Sequence, residues 1–132
     1  MDQGVLVSGS PGEGADLVQK LATKWPVKAA FWLRGSDDDR GNLYIAVEGL
    51  KEMSKMPVYG DVIDIAREAS YPDFDDDRVR LIDAGLPMVR AAIDLNERFP
   101  ALMPFRGGAQ MFGDVFAEAV YVYPTPVLTT AS

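Results

Sequence analysis

The sequence predicts an α+β fold: a two-layer, largely antiparallel sheet with about three helices, in the order α-β-β-α-β-α-β-β. Three observations carry this. Two apolar runs with strand alternation flank one polar loop between residues 27 and 48. Three other segments repeat apolar residues at helical spacing. The last third sets aromatic and β-branched residues among glycines and prolines, which suits short strands and turns.

The first helix is expected over Pro11–Lys24. Ser10 can cap it, Pro11 suits its first position and Glu13 completes a capping box. Leu17, Val18, Leu21, Ala22 and Trp25 recur at helical spacing, and Pro26 stops the helix. VKAAFWLR (27–34) then alternates, with Val27, Ala29, Phe31 and Leu33 on one face and Lys28, Ala30, Trp32 and Arg34 on the other. GSDDDRGN (35–42) is a glycine-bounded turn, and the strand at 43–48 follows with Leu43, Ile45 and Val47 on one face. Two such strands joined by a short loop predict an antiparallel hairpin.

Residues 49–57 form a polar connection ending at Pro57. Tyr59, Val62, Ile63, Ala66 and Ala69 mark a second helix, Val58–Ala69. SYPDFDDD (70–77) is a loop, and RVRLID (78–83) a short strand with Arg78 and Arg80 on its polar face. A third helix begins near Pro87, buries Val89, Ala92, Ile93 and Phe99, and stops at Pro100. A short edge strand is expected at Leu102–Arg106, since Pro104 fits only an edge. A glycine-rich loop and a final strand, Phe116–Tyr123, complete the domain.

At 132 residues, 48% hydrophobic and 25% charged, the chain has the size and composition of one globular domain, expected over 1–123 with a flexible tail at 124–132. It has no cysteine, so disulfides contribute nothing to its fold. No run approaches the roughly 20 apolar residues that span a bilayer, and MDQGVLVSGSPGEG lacks the basic-then-apolar pattern of a signal peptide. The expectation is a cytoplasmic protein with no membrane contact; a secreted domain without disulfides is the alternative. The net charge of −7 repels phosphate backbones, which argues against nucleic acid as a partner. It suits either plain solubility or an acidic face for a basic protein or a cation.

With no histidine and no cysteine, the usual general base, thiol nucleophile and zinc ligands are missing. No cofactor is therefore expected: no zinc, haem or flavin. Gly9 and Gly14 have the spacing of a phosphate loop, but Ala15 and Asp16 stand where Lys and Ser or Thr belong. Gly35-Ser36 before a strand resembles the nucleotidyltransferase signature, yet Asn42 and Tyr44 occupy the positions that need carboxylates. Two acidic clusters, with Asp37 and Asp39 in one and Asp75 and Asp77 in the other, are candidate metal ligands. Neither follows the calcium-loop pattern, and solvated turns explain both. Arg106, Gly107 and Gly108 are a candidate backbone anion nest beside a guanidinium, or simply a turn.

The aromatic strands supply the remaining candidate. Trp32, Arg34, Tyr44, Tyr121 and Tyr123 form a partner-binding patch if they share a sheet face that no helix covers; otherwise they are core. AFWL, LYIA and a late Gly-Gly followed by AVYVYP are similar to a group of small uncharacterised bacterial proteins over residues 29–123, a resemblance that implies no activity and no site residues. The expected function is thus a non-catalytic interaction or accessory protein, acting through a protein partner or by self-association as a homo-oligomer. The alternative is a metal-dependent phosphoryl-transfer or nucleotide-binding enzyme that uses the aspartates.

Overall fold

The computed structural model describes residues 11–36, 41–50, 54–71 and 76–124. Their helices are α1 (Pro11–Ala22), α2 (Met56–Ala69) and α3 (Pro87–Arg98). Their strands are β1 (Val27–Arg34), β2 (Asn42–Val47), β3 (Val79–Asp83), β4 (Phe105–Gly107), β5 (Gln110–Phe112), β6 (Val115–Ala117) and β7 (Ala119–Val122). The α+β class and the order of elements are those expected.

β1 is the centre of a five-stranded sheet of order β3-β2-β1-β7-β4. It pairs antiparallel with β2, the predicted hairpin, and antiparallel with β7. β3 runs parallel to β2, because α2 supplies the long crossover that a parallel neighbour needs. The sheet is therefore mixed. β4 takes the other edge, antiparallel to β7, with Phe105, Arg106 and Gly107 opposite Val122, Tyr121 and Val120. β5 and β6 form a separate two-stranded ribbon.

The helices divide between the two faces of the sheet, so there are three layers rather than two. α1 and α2 bury Leu17, Val18, Leu21, Val58, Val62 and Ile65 against Trp32, Leu43, Ile45, Val79, Leu81, Tyr121 and Tyr123. α3 and the ribbon bury Val89, Ala92, Phe112 and Ala117 against Ala29, Phe31, Leu33, Ala46, Val120 and Val122. A central strand covered on both sides needs large apolar residues at consecutive positions. Phe31, Trp32 and Leu33 supply them, and all three are buried.

Several details differ from the sequence reading. Val27 packs with the Trp32 face, since an irregularity between Val27 and Ala29 breaks the alternation. α1 ends at Ala22 in a turn that carries Thr23 and Lys24, and α2 begins at Met56, with Pro57 inside its first turn instead of before it. In α3, Ile93 is half-buried and Phe99 exposed, because the chain turns away at Phe99 into the short helical turn Pro100–Leu102. β4 spans Phe105–Gly107, displaced from the expected 102–106 by that same turn.

The expected final strand is broken in two. β7 pairs with β1 only as far as Ala119 opposite Arg34, where β1 ends. Glu118 marks the corner, its N–H donating to the Arg34 carbonyl at 2.7 Å. Upstream of it the chain has no sheet partner left, and β6 pairs with β5 instead. Residues Ser10 and 125–132, where a helix cap and a flexible tail were expected, lie outside the described residues.

Candidate functional site

Cross-strand register decides which aromatic rings meet. Residues directly opposite in a sheet share a face. Trp32 lies opposite Tyr121, and Phe31 opposite Tyr44. Tyr44 therefore sits on the other side of the sheet from Trp32, stacked on Phe31 with ring centroids 5.6 Å apart. Trp32, Tyr121 and Tyr123 do share one face, but α1 and α2 cover it and all three are buried. The open aromatic patch expected at Trp32, Arg34, Tyr44, Tyr121 and Tyr123 is not formed; the rings are core. Arg34 ends β1 half-buried, opposite Ala119.

The packing there is specific. Trp32 Nε1 donates to the Tyr123 hydroxyl at 2.9 Å in a buried bond, and Tyr121 meets Tyr123 edge-on at 5.2 Å between centroids. α1 passes over this pair at Gly14. A Cβ there would overlap the Tyr123 hydroxyl and stand 3.4 Å from Trp32 Nε1. Gly14 thus admits an aromatic tip beneath a helix. Burial raises the pKa of both Tyr121 and Tyr123, opposed at Tyr121 by Arg106 and at Tyr123 by the Trp32 N–H. On the rim of this face the Tyr71 hydroxyl donates to Asp16 at 2.6 Å, and Lys20 lies 3.0 Å from the same carboxylate. The Tyr71 bond is the main cause that lowers the Asp16 pKa, and burial with the neighbouring Asp16 raises that of Tyr71.

Arg106 faces Tyr121 across the β4–β7 pair, its guanidinium carbon 4.6 Å from the ring centroid, a cation–π contact that caps the aromatic cluster. Gly107 is a strand residue, and neither it nor Gly108 takes positive φ. An anion nest needs neighbouring residues of opposite backbone hand, so Arg106, Gly107 and Gly108 do not make one. Of the candidate metal ligands, Asp37, Asp39 and Asp75 lie outside the described residues. Asp77 is exposed, and its carbonyl accepts from Arg80 Nη1 at 2.7 Å. Among the described residues no three carboxylates gather where they could hold a metal ion, and no helix is long and apolar enough to cross a membrane.

The surface that stands out is one the sequence reading missed. β5 and β6 are joined by Gly113-Asp114, with positive φ at Gly113 (67°). Such a two-residue link with a leading glycine suits a tight hairpin. The turn lies against the start of α3, where a Cβ on Gly113 would come within 2.5 Å of the Met88 nitrogen. Phe112 and Ala117 point inward; Phe112 meets Phe31 at 5.1 Å between centroids. Met111 and Phe116 are paired on the opposite side and face solvent, 60% and 48% exposed.

Phe116 also borders a cleft of about 400 Å³ lined by Leu33, Ser36, Asn42, Tyr44, Val115 and Ala117. Its polar rim is held by Ser36, whose hydroxyl donates to Glu118 at 3.1 Å. The sequence signal was present: MFGDVF places Gly-Asp between two apolar pairs, the pattern of a two-residue hairpin. No protein-family model, curated protein or solved structure matches the chain.

Proposed function

We propose that this chain is a non-catalytic interaction protein, acting through a protein partner or a second copy of itself, and that the outer face of the β5–β6 ribbon with its adjoining cleft makes the contact. The observation that carries this reading is the Met111–Phe116 pair. Single apolar residues are common on surfaces, and Met56 is of that kind. Met111 and Phe116 differ because they oppose each other on one ribbon, and Phe116 also lines a cleft together with Leu33 and Tyr44. Met and aromatic side chains beside a concave apolar surface are the composition of a binding core.

The reading favours a partner that places an apolar side chain in the cleft and carries basic groups around it, since the chain has a net charge of −7 and Asp114 and Glu118 flank the ribbon. Like charge disfavours two copies meeting here at low salt. A chain that folds with no cysteine suits the cytoplasm, which we propose as its compartment.

The test places a photo-crosslinking residue at Phe116 and, as a control, at Leu102, in the cell of origin. Products that form from Phe116 and vanish in the Met111→Ser background support the reading. Equal products from both positions, or none from Phe116, would overturn it.

A further inference from the structure

Among the described residues β3 is the edge of the five-stranded sheet on the side away from β4. It is five residues long and carries Val79, Leu81 and Ile82, with Val79 and Leu81 buried. A strand edge of this length offers N–H and C=O groups to any other strand. Within a strand, successive residues direct these groups to opposite sides. Ala84 donates to the Val47 carbonyl at 3.3 Å, so the even-numbered residues face β2 and Val79 and Leu81 direct their backbone groups outward.

Two of those outward groups, the Val79 carbonyl and the Leu81 N–H, are occupied. The Tyr59 hydroxyl, from the first turn and a half of α2, donates to the Val79 carbonyl at 3.2 Å and accepts from the Leu81 N–H at 3.3 Å. A parallel neighbouring strand would place one residue at that position, bonding the same carbonyl and the same N–H. One phenol oxygen, both donor and acceptor, replaces it. Arg80 adds a second cover, its Nη1 donating to the carbonyls of Asp77 and Val79 at 2.7 and 3.2 Å. Between α2 and this edge runs a groove of about 240 Å³, bordered by Tyr59, Val62, Ile63 and Val79, along which an added strand would lie.

We infer that Tyr59 holds the β3 edge closed against strand pairing with a second copy of this chain. Tyr59 is a positioning residue whose bonds belong to the sheet, although its chain position is helical. A helix face packed on a sheet normally sends apolar side chains to it, and Tyr59 does so with its ring while its hydroxyl reaches past the apolar layer to the edge backbone. This inference is independent of the ribbon contact proposed above, and its test is made in a Met111→Ser, Phe116→Ser background so that the two separate.

Two measurements decide it. In the background protein, the Leu81 amide should exchange with solvent slowly for an edge residue. With Tyr59→Phe it should exchange about fivefold faster or more when dilute, regain protection on concentration, and sediment as a dimer. Tyr59→Ser, which also clears the ring from the groove, should dimerise at lower concentration than Tyr59→Phe. Rapid Leu81 exchange with Tyr59 intact would overturn the inference. So would variants that stay monomeric with Leu81 unprotected, or a dimer in which Leu81 remains unprotected. If neither variant folds, the Leu81 exchange rate with Tyr59 intact decides alone.

Discussion

The two faces of the central sheet are built from the same strands but closed by different means. On the Trp32 side, two helices of 12 and 14 residues cover large rings, and the polar tips of those rings meet partners: Trp32 with Tyr123, Trp25 with Asp61, Tyr71 with Asp16. On the Phe31 side the cover is one helix and a ribbon of two three-residue strands, and the contacts are chiefly ring on ring and ring on aliphatic. A ribbon so thin has one face for the core and one for solvent, and among the described residues Met111 and Phe116 on that second face are exposed. The first face is finished by the chain itself. The second leaves Met111 and Phe116 exposed.

The largest expected effect lies on the finished face. Trp32→Ala removes the most voluminous buried side chain and leaves the Tyr123 hydroxyl without its donor. It should cost about 3–5 kcal/mol in denaturant unfolding, with the transition still cooperative. A loss below about 1 kcal/mol would mean that the pocket collapses freely and the face is less tightly fitted than its geometry implies.

Next comes Gly14→Ala. In an exposed helix this exchange stabilises by up to about 1 kcal/mol. Here the new methyl group meets the Tyr123 hydroxyl, which is the end of a rigid, buried, hydrogen-bonded ring. The sign should reverse, with a loss of about 1–3 kcal/mol. Gly14→Ala combined with Tyr123→Phe should recover part of it, since removal of the hydroxyl clears the methyl group. A stabilised single variant would show that α1 can lift from the sheet at no cost.

The same face should confer alkali sensitivity. Burial raises the pKa of Tyr123 and Tyr121 above the ordinary 10.0. The folded chain then keeps phenol protons that the unfolded chain releases near pH 10. The associated stability is complete below that pH and declines as pH rises from about 10 toward the folded values. Ultraviolet titration of the five tyrosines should show Tyr123 ionising only as the protein unfolds. Reversible titration of all five before any loss of helix would contradict the buried cluster.

How the two faces differ in legibility follows from the length of their signals. The β1–β2 hairpin was readable because each strand alternates over at least six residues around a polar turn. Helices α1 and α3 were readable from spacing and flanking prolines. The face assigned to Tyr44 was not, since it depends on a register, Phe31 opposite Tyr44, that alternation within one strand does not contain. Nor was the division of helices between the faces, although Phe31-Trp32-Leu33, three large apolar residues in succession, is the mark of a strand buried on both sides. β5 and β6 have three residues each, too few for a period, so Phe116 was joined to β7 and Gln110–Phe112 to a loop. The candidate site was thus hidden where the pattern was shortest.

The smallest effect on stability should come from the unfinished face, and it sharpens the contrast most. Met111→Ser with Phe116→Ser removes side chains that are already about half in water, so the unfolding free energy should fall by no more than about 1 kcal/mol, the worth of their cross-strand pair. Phe112→Ser, one residue away on the same ribbon, should cost more, because that side chain is buried against Phe31. If the ribbon is the contact, the double variant loses its crosslinked partner while its circular dichroism and melting are those of the parent. A parallel loss of stability would place Met111 and Phe116 in the fold itself. The two faces would then be equally finished, and the contact surface would have to be sought elsewhere.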